Sequence, residues 1–452
     1  MINKNNLLKL IQEVIGITGL ALCSLSYAQE SGNSIPDSFV KALTDGKVSL
    51  LLNYRYEYAD DPTKTNDAHA STLRTVLGYQ TGRTHGLAGY VEVENVHVIG
   101  NELYNSGSNG KVNHSVVVDP QGTELNQAYI SFAKEGRYGI PLLKDTEIRA
   151  GRQLISYRNA PAHRFVGPVV WRQNWQSFDG FTLNNTSLAD TRIHMSYIYN
   201  INRIFGDDHP AMGDKDVDGY MFNVQYTGFP LSKLEVYAHL LDFKNTTASP
   251  AFGFYQSTDT FGVRFNGSRN ITDKAKLIYA AEYAHQSDAH SNPHDIDSDY
   301  FLGELALAFD LDGEIVQSAT IKGGYELLSG DGGADRFTTP LATLHAYQGW
   351  ADKFLNTPGD GIKDIYVFAN TKVFSGYNLT MVYHDLSSDN DGYDYGTEFD
   401  IVLSKSFKKY FTAGIKYADY DADSNALNLV RNANAGQSND VGKLWAFLRF
   451  KY

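Results

Sequence analysis

From Val48 the chain alternates. Val48, Leu50, Leu52, Tyr54, Tyr56 and Tyr58 form one set, and Ser49, Leu51, Asn53, Arg55 and Glu57 fall between them. Successive side chains of a strand point to opposite faces, so a period of two lays the apolar set on one surface and the polar set on the other. The pattern recurs at Leu73/Thr75/Leu77/Tyr79 with Arg74 opposite, and at Tyr220/Phe222/Val224/Tyr226 with Asn223 and Gln225 opposite. It recurs again at Phe261/Val263/Phe265 with Arg264 and Asn266 opposite, and at Leu277/Tyr279/Ala281/Tyr283 with Glu282 opposite. About 18 such segments are expected, each near the length a tilted strand needs to cross a bilayer. They begin near Val48, Ser71, Leu87, Glu124, Glu147, Ser177, Thr191, Gly219, Lys233, Thr258, Lys274, Tyr300, Ala319, Asp364, Asn378, Thr397, Tyr410 and Lys443.

The connections alternate too. Asp60 to Ala70, Gly100 to Gly122 and Ser156 to Gln176 are long, whereas Thr81–Gly86, Thr186–Asp190, Thr227–Ser232 and Phe374–Asn378 leave room for little more than a turn. Long–short alternation is the signature of a transmembrane barrel with short periplasmic turns and long extracellular loops. The fold class expected is therefore all-β, a single antiparallel transmembrane β-barrel. Closure supplies a partner for every backbone N–H and C=O in a layer without water.

Composition agrees. Aromatics are 13% of the chain, with 30 Tyr, yet mean hydropathy is −0.34. After the first segment no run of about 18 apolar residues exists to make a membrane helix. That first segment, 1–28, reads as a cleaved signal peptide: Lys4 and Lys9, then an apolar stretch from Val14 to Leu25, then Ser26-Tyr27-Ala28. Residues 29–46 follow as a periplasmic lead-in and 47–452 as the barrel. The aromatic Tyr452 closes an alternating terminal strand. Removing the signal, with its two Lys and one Glu, takes the net charge from −13 to −14. An acidic exterior argues against nucleic acid. The sole cysteine, Cys23, lies in the signal, which excludes thiolate catalysis, disulfides and Cys-ligated metals in the mature chain.

The faces opposite the apolar ones carry the candidate lumen residues. Their basic members are Arg55, Arg74, Arg149, Arg192, Arg264, Lys322, Lys416, Arg449 and Lys451; their acidic members are Glu57, Glu92, Glu94, Glu235, Glu282, Glu304, Glu326, Glu398 and Asp400. Nine against nine is a balanced interior. Of these, Arg55, Arg74, Glu92, Glu94, Arg149, Arg192, Arg264, Lys322 and Glu326, together with Arg152 and Gln153, are taken as the solute path. The longest connection, about 331–362, holds "FTTPLATLHAYQGWADKF". Thr338 or Thr339 ahead of Pro340 predicts a helix start. The segment is either a lid helix on the barrel rim or a constriction folded into the lumen, with His345, Trp350, Asp352 and Lys353 lining it.

Other chemistry finds little support. The alternate Asp residues at 214–218, 295–299 and 419–423 read as a solvated acidic rim. His285, His290 and His294 do not converge on a metal site. No G-x-S-x-G, H-E-x-x-H or P-loop is present. No enzyme activity, cofactor or metal is expected. The expected partners are outer-membrane lipid and lipopolysaccharide, the barrel assembly machinery, and a hydrophilic solute or polysaccharide.

"IRAGRQLISYRNAPAHRFVGPVVWRQNWQSFDGFTL" (Ile148 to Leu183) resembles the GRQ…W…SFDG block of the alginate export family of outer-membrane barrels. "ELNQAYISF", "GYELLSGD" and "KYADYDAD" resemble its other blocks. The resemblance implies an 18-stranded barrel in a Gram-negative outer membrane, passing an acidic polysaccharide through an arginine-rich lumen. The balanced charges leave two further readings, a general or small-solute porin and a closed structural or adhesive barrel.

Overall fold

The computed structural model describes residues 36–133, 141–159, 164–209, 211–244, 256–290, 292–424 and 438–452. The expected signal segment lies outside them. A short helix, α1 (Asp37–Thr44), precedes the first strand. The strands are β1 Lys47–Asp60, β2 Ala68–Gln80, β3 Leu87–Val98, β4 Gly122–Ala133, β5 Thr146–Gln153 and β6 Ser177–Asn185. Then come β7 Thr191–Asn202, β8 Asp214–Tyr226, β9 Ser232–Phe243, β10 Thr258–Thr272, β11 Ala275–Asp288 and β12 Asp297–Asp310. The last six are β13 Val316–Leu328, β14 Ile362–Val373, β15 Tyr377–Ser387, β16 Asp394–Phe407, β17 Phe411–Ala422 and β18 Val441–Lys451.

Each strand pairs antiparallel with its sequence neighbours, and β1 pairs with β18 from Leu51↔Lys451 to Asp60↔Gly442. Leu50 and Tyr452 exchange both backbone hydrogen bonds at the seam. The result is one closed 18-stranded barrel. The sequence places every strand; the largest discrepancy is β8, expected from Gly219 and observed from Asp214. The extra residues, Asp214 to Asp218, are four charged residues and the buried Val217. Backbone pairing runs past the end of the apolar alternation, because ladder hydrogen bonds do not need apolar side chains.

The alternation sorts the faces as expected. Asn53, Arg55 and Glu57 are buried, while Tyr54 faces out. Val236, Phe261, Val263, Phe265, Ile365 and Val367 are among many exposed apolar residues on outward faces. A belt of this kind around a closed barrel is the surface a bilayer solvates.

The interior is not empty. Two long connections fold inward at the same end: residues 154–159 and 164–176 between β5 and β6, and 329–361 between β13 and β14. They touch through a bridge between Val166 and Leu341, with Gly167 N donating to Leu341 O at 2.9 Å. Phe165, Phe337, Leu341 and Phe354 pack with wall residues Tyr237, Tyr300, Tyr395, Tyr420 and Trp445 in one core.

The helix expected after Pro340 does not form. Within 329–361 the chain makes only turns and bridges. Gln348, Gly349 and Asp352 all take left-handed backbone angles, at φ 51, 87 and 63. The amides of Trp350 and Ala351 donate to wall carboxylates Asp400 and Glu398, at 3.2 and 2.6 Å, instead of to helical carbonyls.

A charge on the belt should be costly. Val263→Arg, near the middle of β10, is expected to destabilise the barrel by about 2–4 kcal/mol, read by urea unfolding in lipid vesicles. A midpoint equal to wild type would mean that this face does not meet lipid.

Candidate functional site

Three arginines on the first inward connection are bound to carboxylates, each with at least one partner on the wall. Arg158 meets Glu235 of β9 at 2.9 Å and Glu282 of β11 at 2.7 Å. Arg164 meets Glu326 of β13 at 2.7 Å. Arg172 meets Glu57 of β1 at 3.2 Å and, on the second connection, Asp352 at 3.0 Å. Burial opposes the charge of all three, but their carboxylate partners outweigh it and hold the guanidinium groups protonated. The wall glutamates are thus the counter-ions of inserted arginines. Glu326 also accepts from Tyr300 at 2.7 Å and from Gln348 of the second connection.

The second connection is tied just as tightly. Asp352 bonds Lys443 of β18 at 2.9 Å and His345 Nδ1 at 2.6 Å. His345 Nε2 lies 2.5 Å from Lys416 Nζ of β17. The imidazole stacks on Trp171 at 4.2 Å and 3°. Lys416 sits inside three indoles, 3.7 Å from the Trp350 ring, 4.1 Å from Trp171 and 5.0 Å from Trp445. Gly349 is required here: a Cβ would fall 2.1 Å from Glu398 Oε2. Lys353 reaches over the Tyr420 ring at 5.7 Å, and burial lowers its ammonium below the usual lysine value.

The residues expected along the solute path are placed as follows. Arg55 pairs with Asp119 and Glu57 and lies 5.0 Å from Trp171. Arg74 donates to Glu94 and stacks on Trp175 at 3.7 Å. Glu92 accepts from Asn126, Gln127 and Tyr90. Arg264 bonds Glu282 at 2.7 Å, and Lys322 bonds Glu304. Most of these groups are satisfied within the protein. Arg149, Arg192 and Gln153 line a cavity of ≈ 140 Å³ together with Glu147, Thr182, His194 and Ser196, and Arg149 is held by Glu147 at 2.8 Å. Arg152 is not with them. It has the strand parity of the exposed Ile148 and pairs with Asp179 at 2.8 Å on the outward face.

Arg158, Arg164 and Arg172 were not anticipated as lumen residues. They lie on a connection, where no period reports which way a side chain points. With nine basic and nine acidic residues on the wall, the sequence held no signal that Glu57, Glu235, Glu282 and Glu326 take partners from a connection.

Three separate spaces lie among the described residues of the lumen. At the long-connection end lies a cavity of ≈ 320 Å³ lined by residues that include Arg203, Lys215, His294, Arg336, Thr338 and Thr357. None of its described lining residues is Asp or Glu. A second space, of ≈ 20 Å³, lies beside Arg158, Arg164, Phe165 and Tyr237. Tyr157 lines both this narrow space and the ≈ 140 Å³ cavity at Arg149 and Arg192.

No family model and no curated protein matches the chain. Solved structures do match. OccAB2 of Acinetobacter baumannii aligns at TM-score 0.66 and 14% identity, over 91% of this chain and 99% of its own. OccD3 (OpdP) of Pseudomonas aeruginosa aligns at 0.62 and 15%, over 91% and 92%. OpdK of Pseudomonas aeruginosa, solved with vanillate, aligns at 0.63 and 12%, over 91% and 99%. The chain has the fold of these Occ barrels. The resemblance to the alginate export family is thereby corrected. Its GRQ…SFDG block supplies no arginine-rich lumen either, since Arg152 faces outward and Arg158, Arg164 and Arg172 are consumed by wall carboxylates.

Arg172→Ala would leave Glu57 and Asp352 buried with less compensation. The ties at 341–354 should weaken by about 3–5 kcal/mol, seen as faster amide hydrogen exchange in that segment. Exchange at the wild-type rate would show that Arg172 does not hold it.

Proposed function

We propose that the chain is an outer-membrane channel of a Gram-negative cell, passing a small hydrophilic solute with a preference for anions. It works as a passive path and not as an enzyme. The observation that carries this reading is the ≈ 320 Å³ entrance cavity, whose described lining includes Arg203 and Arg336 and no Asp or Glu. That volume suits a small molecule and not a polymer. Burial lowers Arg203 to about 10, so it is still a cation at neutral pH, and it depresses Arg336 as well. The likeness to OpdK, solved with vanillate, a small carboxylate, supports the same size and sign of solute.

In this reading the solute passes from the entrance by the narrow space beside Arg158 and Phe165 to the cavity at Arg149 and Arg192. Charged walls at a narrow point select ions by sign, so the basic groups above and below set the preference. Lipid and lipopolysaccharide surround the belt, and the barrel assembly machinery inserts it.

The test is the reversal potential in a planar bilayer under a salt gradient. Wild type should favour anions. Arg203→Gln, Lys215→Gln and Arg336→Gln combined should remove most of that preference while leaving the barrel folded. Cation selectivity in the wild type would overturn the preferred sign. Absence of current under every condition would instead indicate a closed, structural barrel.

A further inference from the structure

His345 occupies an unusual position for a titratable group. Its two ring nitrogens face charges of opposite sign. Nδ1 lies 2.6 Å from Asp352 on its own connection, and Nε2 lies 2.5 Å from the Lys416 ammonium on β17. An ammonium has donors only. With Lys416 as an ammonium, Nε2 accepts, and the ring is then neutral with its proton on Nδ1, donated to Asp352. A protonated imidazole carries N–H on both nitrogens and has no lone pair for Lys416.

We propose that His345 is an acid-released clasp. Neutral, it joins the 329–361 connection to the barrel wall; protonated, it faces Lys416 cation to cation and the connection lets go.

The surroundings favour this outcome. From the 154–176 connection, Trp171 covers the ring face and Arg172 shares Asp352. From β18, Trp445 meets the ring edge-on at 5.7 Å and Lys443 also holds Asp352. From β16, Glu398 and Asp400 hold the amides of Ala351 and Trp350. From β1, Glu57 binds Arg172. Asp352 is already shared among Arg172, Lys443 and His345, so a further positive charge on the ring finds its nearest acid occupied. The three indoles around Lys416 leave the ammonium little room to retreat.

The direction with pH follows. Burial is the largest influence on His345 and holds it well below the usual histidine value; Asp352 pulls the other way and Lys416 adds to burial. Released, the ring titrates near the ordinary value of about 6.5. The clasp is therefore at full strength above about pH 6.5. Below it, each unit favours release about tenfold, until the clasped ring itself takes a proton. The consequence for conduction, a wider lumen in acid, rests on the channel reading above; the clasp does not.

All four tryptophans lie in this region: Trp171, Trp350 and Trp445 enclose Lys416, and Trp175 stacks on Arg74. Their emission is a direct readout. The full-length protein in detergent micelles would be titrated from pH 8 to pH 4, alongside His345→Gln and Lys416→Gln. Gln at 345 keeps a donor and an acceptor but cannot take a proton. Gln at 416 offers a carbonyl that accepts from a protonated imidazole. The expected result is a red shift of wild-type emission below about pH 6.5, absent in His345→Gln and moved to lower pH in Lys416→Gln. A shift retained in His345→Gln, an unmoved midpoint in Lys416→Gln, or no wild-type shift would each overturn the clasp. Should His345→Gln not fold, the wild type and Lys416→Gln still decide. Bilayer current over the same range separates the two readings. A red shift with no current at any pH supports the clasp and sinks the channel.

Discussion

Every backbone N–H and C=O in a layer without water must find a partner in the chain, and the seam between β1 and β18 is where that requirement is met. Pairing from Leu51↔Lys451 to Asp60↔Gly442 turns an open sheet into a ring with no edge. Closure then imposes the rest. Each strand has one face on lipid and one on the lumen, so apolar and polar residues must alternate. The lumen, cut off from bulk water where connections enter it, must neutralise whatever charges it contains.

That second demand organises the interior. The inward wall carries Glu57, Glu235, Glu282, Glu326, Glu398 and Asp400, all buried. An uncompensated carboxylate there would cost several kcal/mol. The two inserted connections bring what the wall lacks. Arg158, Arg164 and Arg172 reach Glu235, Glu282, Glu326 and Glu57, and the amides of Trp350 and Ala351 reach Asp400 and Glu398. The connections are consequently part of the barrel's electrostatics and not additions to its rim. Among the described residues, the cavities at the entrance and at Arg149 and Arg192 carry more basic than acidic side chains.

Strand positions were readable because side-chain direction in a strand is a local property with a period of two. The reading fails where no period exists. On 329–361, Pro340 behind Thr338 and Thr339 suggests a helix, but contacts with Glu398 and Asp400, more than forty residues away, set the backbone. On 154–176, three arginines gave no sign of facing inward. Arg152 was counted with the lumen although its neighbour Gln153 was as well, and consecutive strand residues cannot share a face. The family resemblance was carried by blocks spread along nearly the whole mature chain, whereas the likeness found lies in three dimensions at about 12–15% identity and is to other barrels.

The amino-acid sequence alone determined a closed antiparallel barrel, its 18 strands and the outward face of most of them. All of these follow from alternation and composition, which are properties of neighbours along the chain. The tertiary structure alone decided which charges meet, that two connections fill one end of the lumen, and that His345 lies between Lys416 and Asp352. Those depend on residues brought together from distant strands, and the distance along the chain between Arg158 and Glu282, or between His345 and Lys416, carries no trace of the few ångströms that separate them in space.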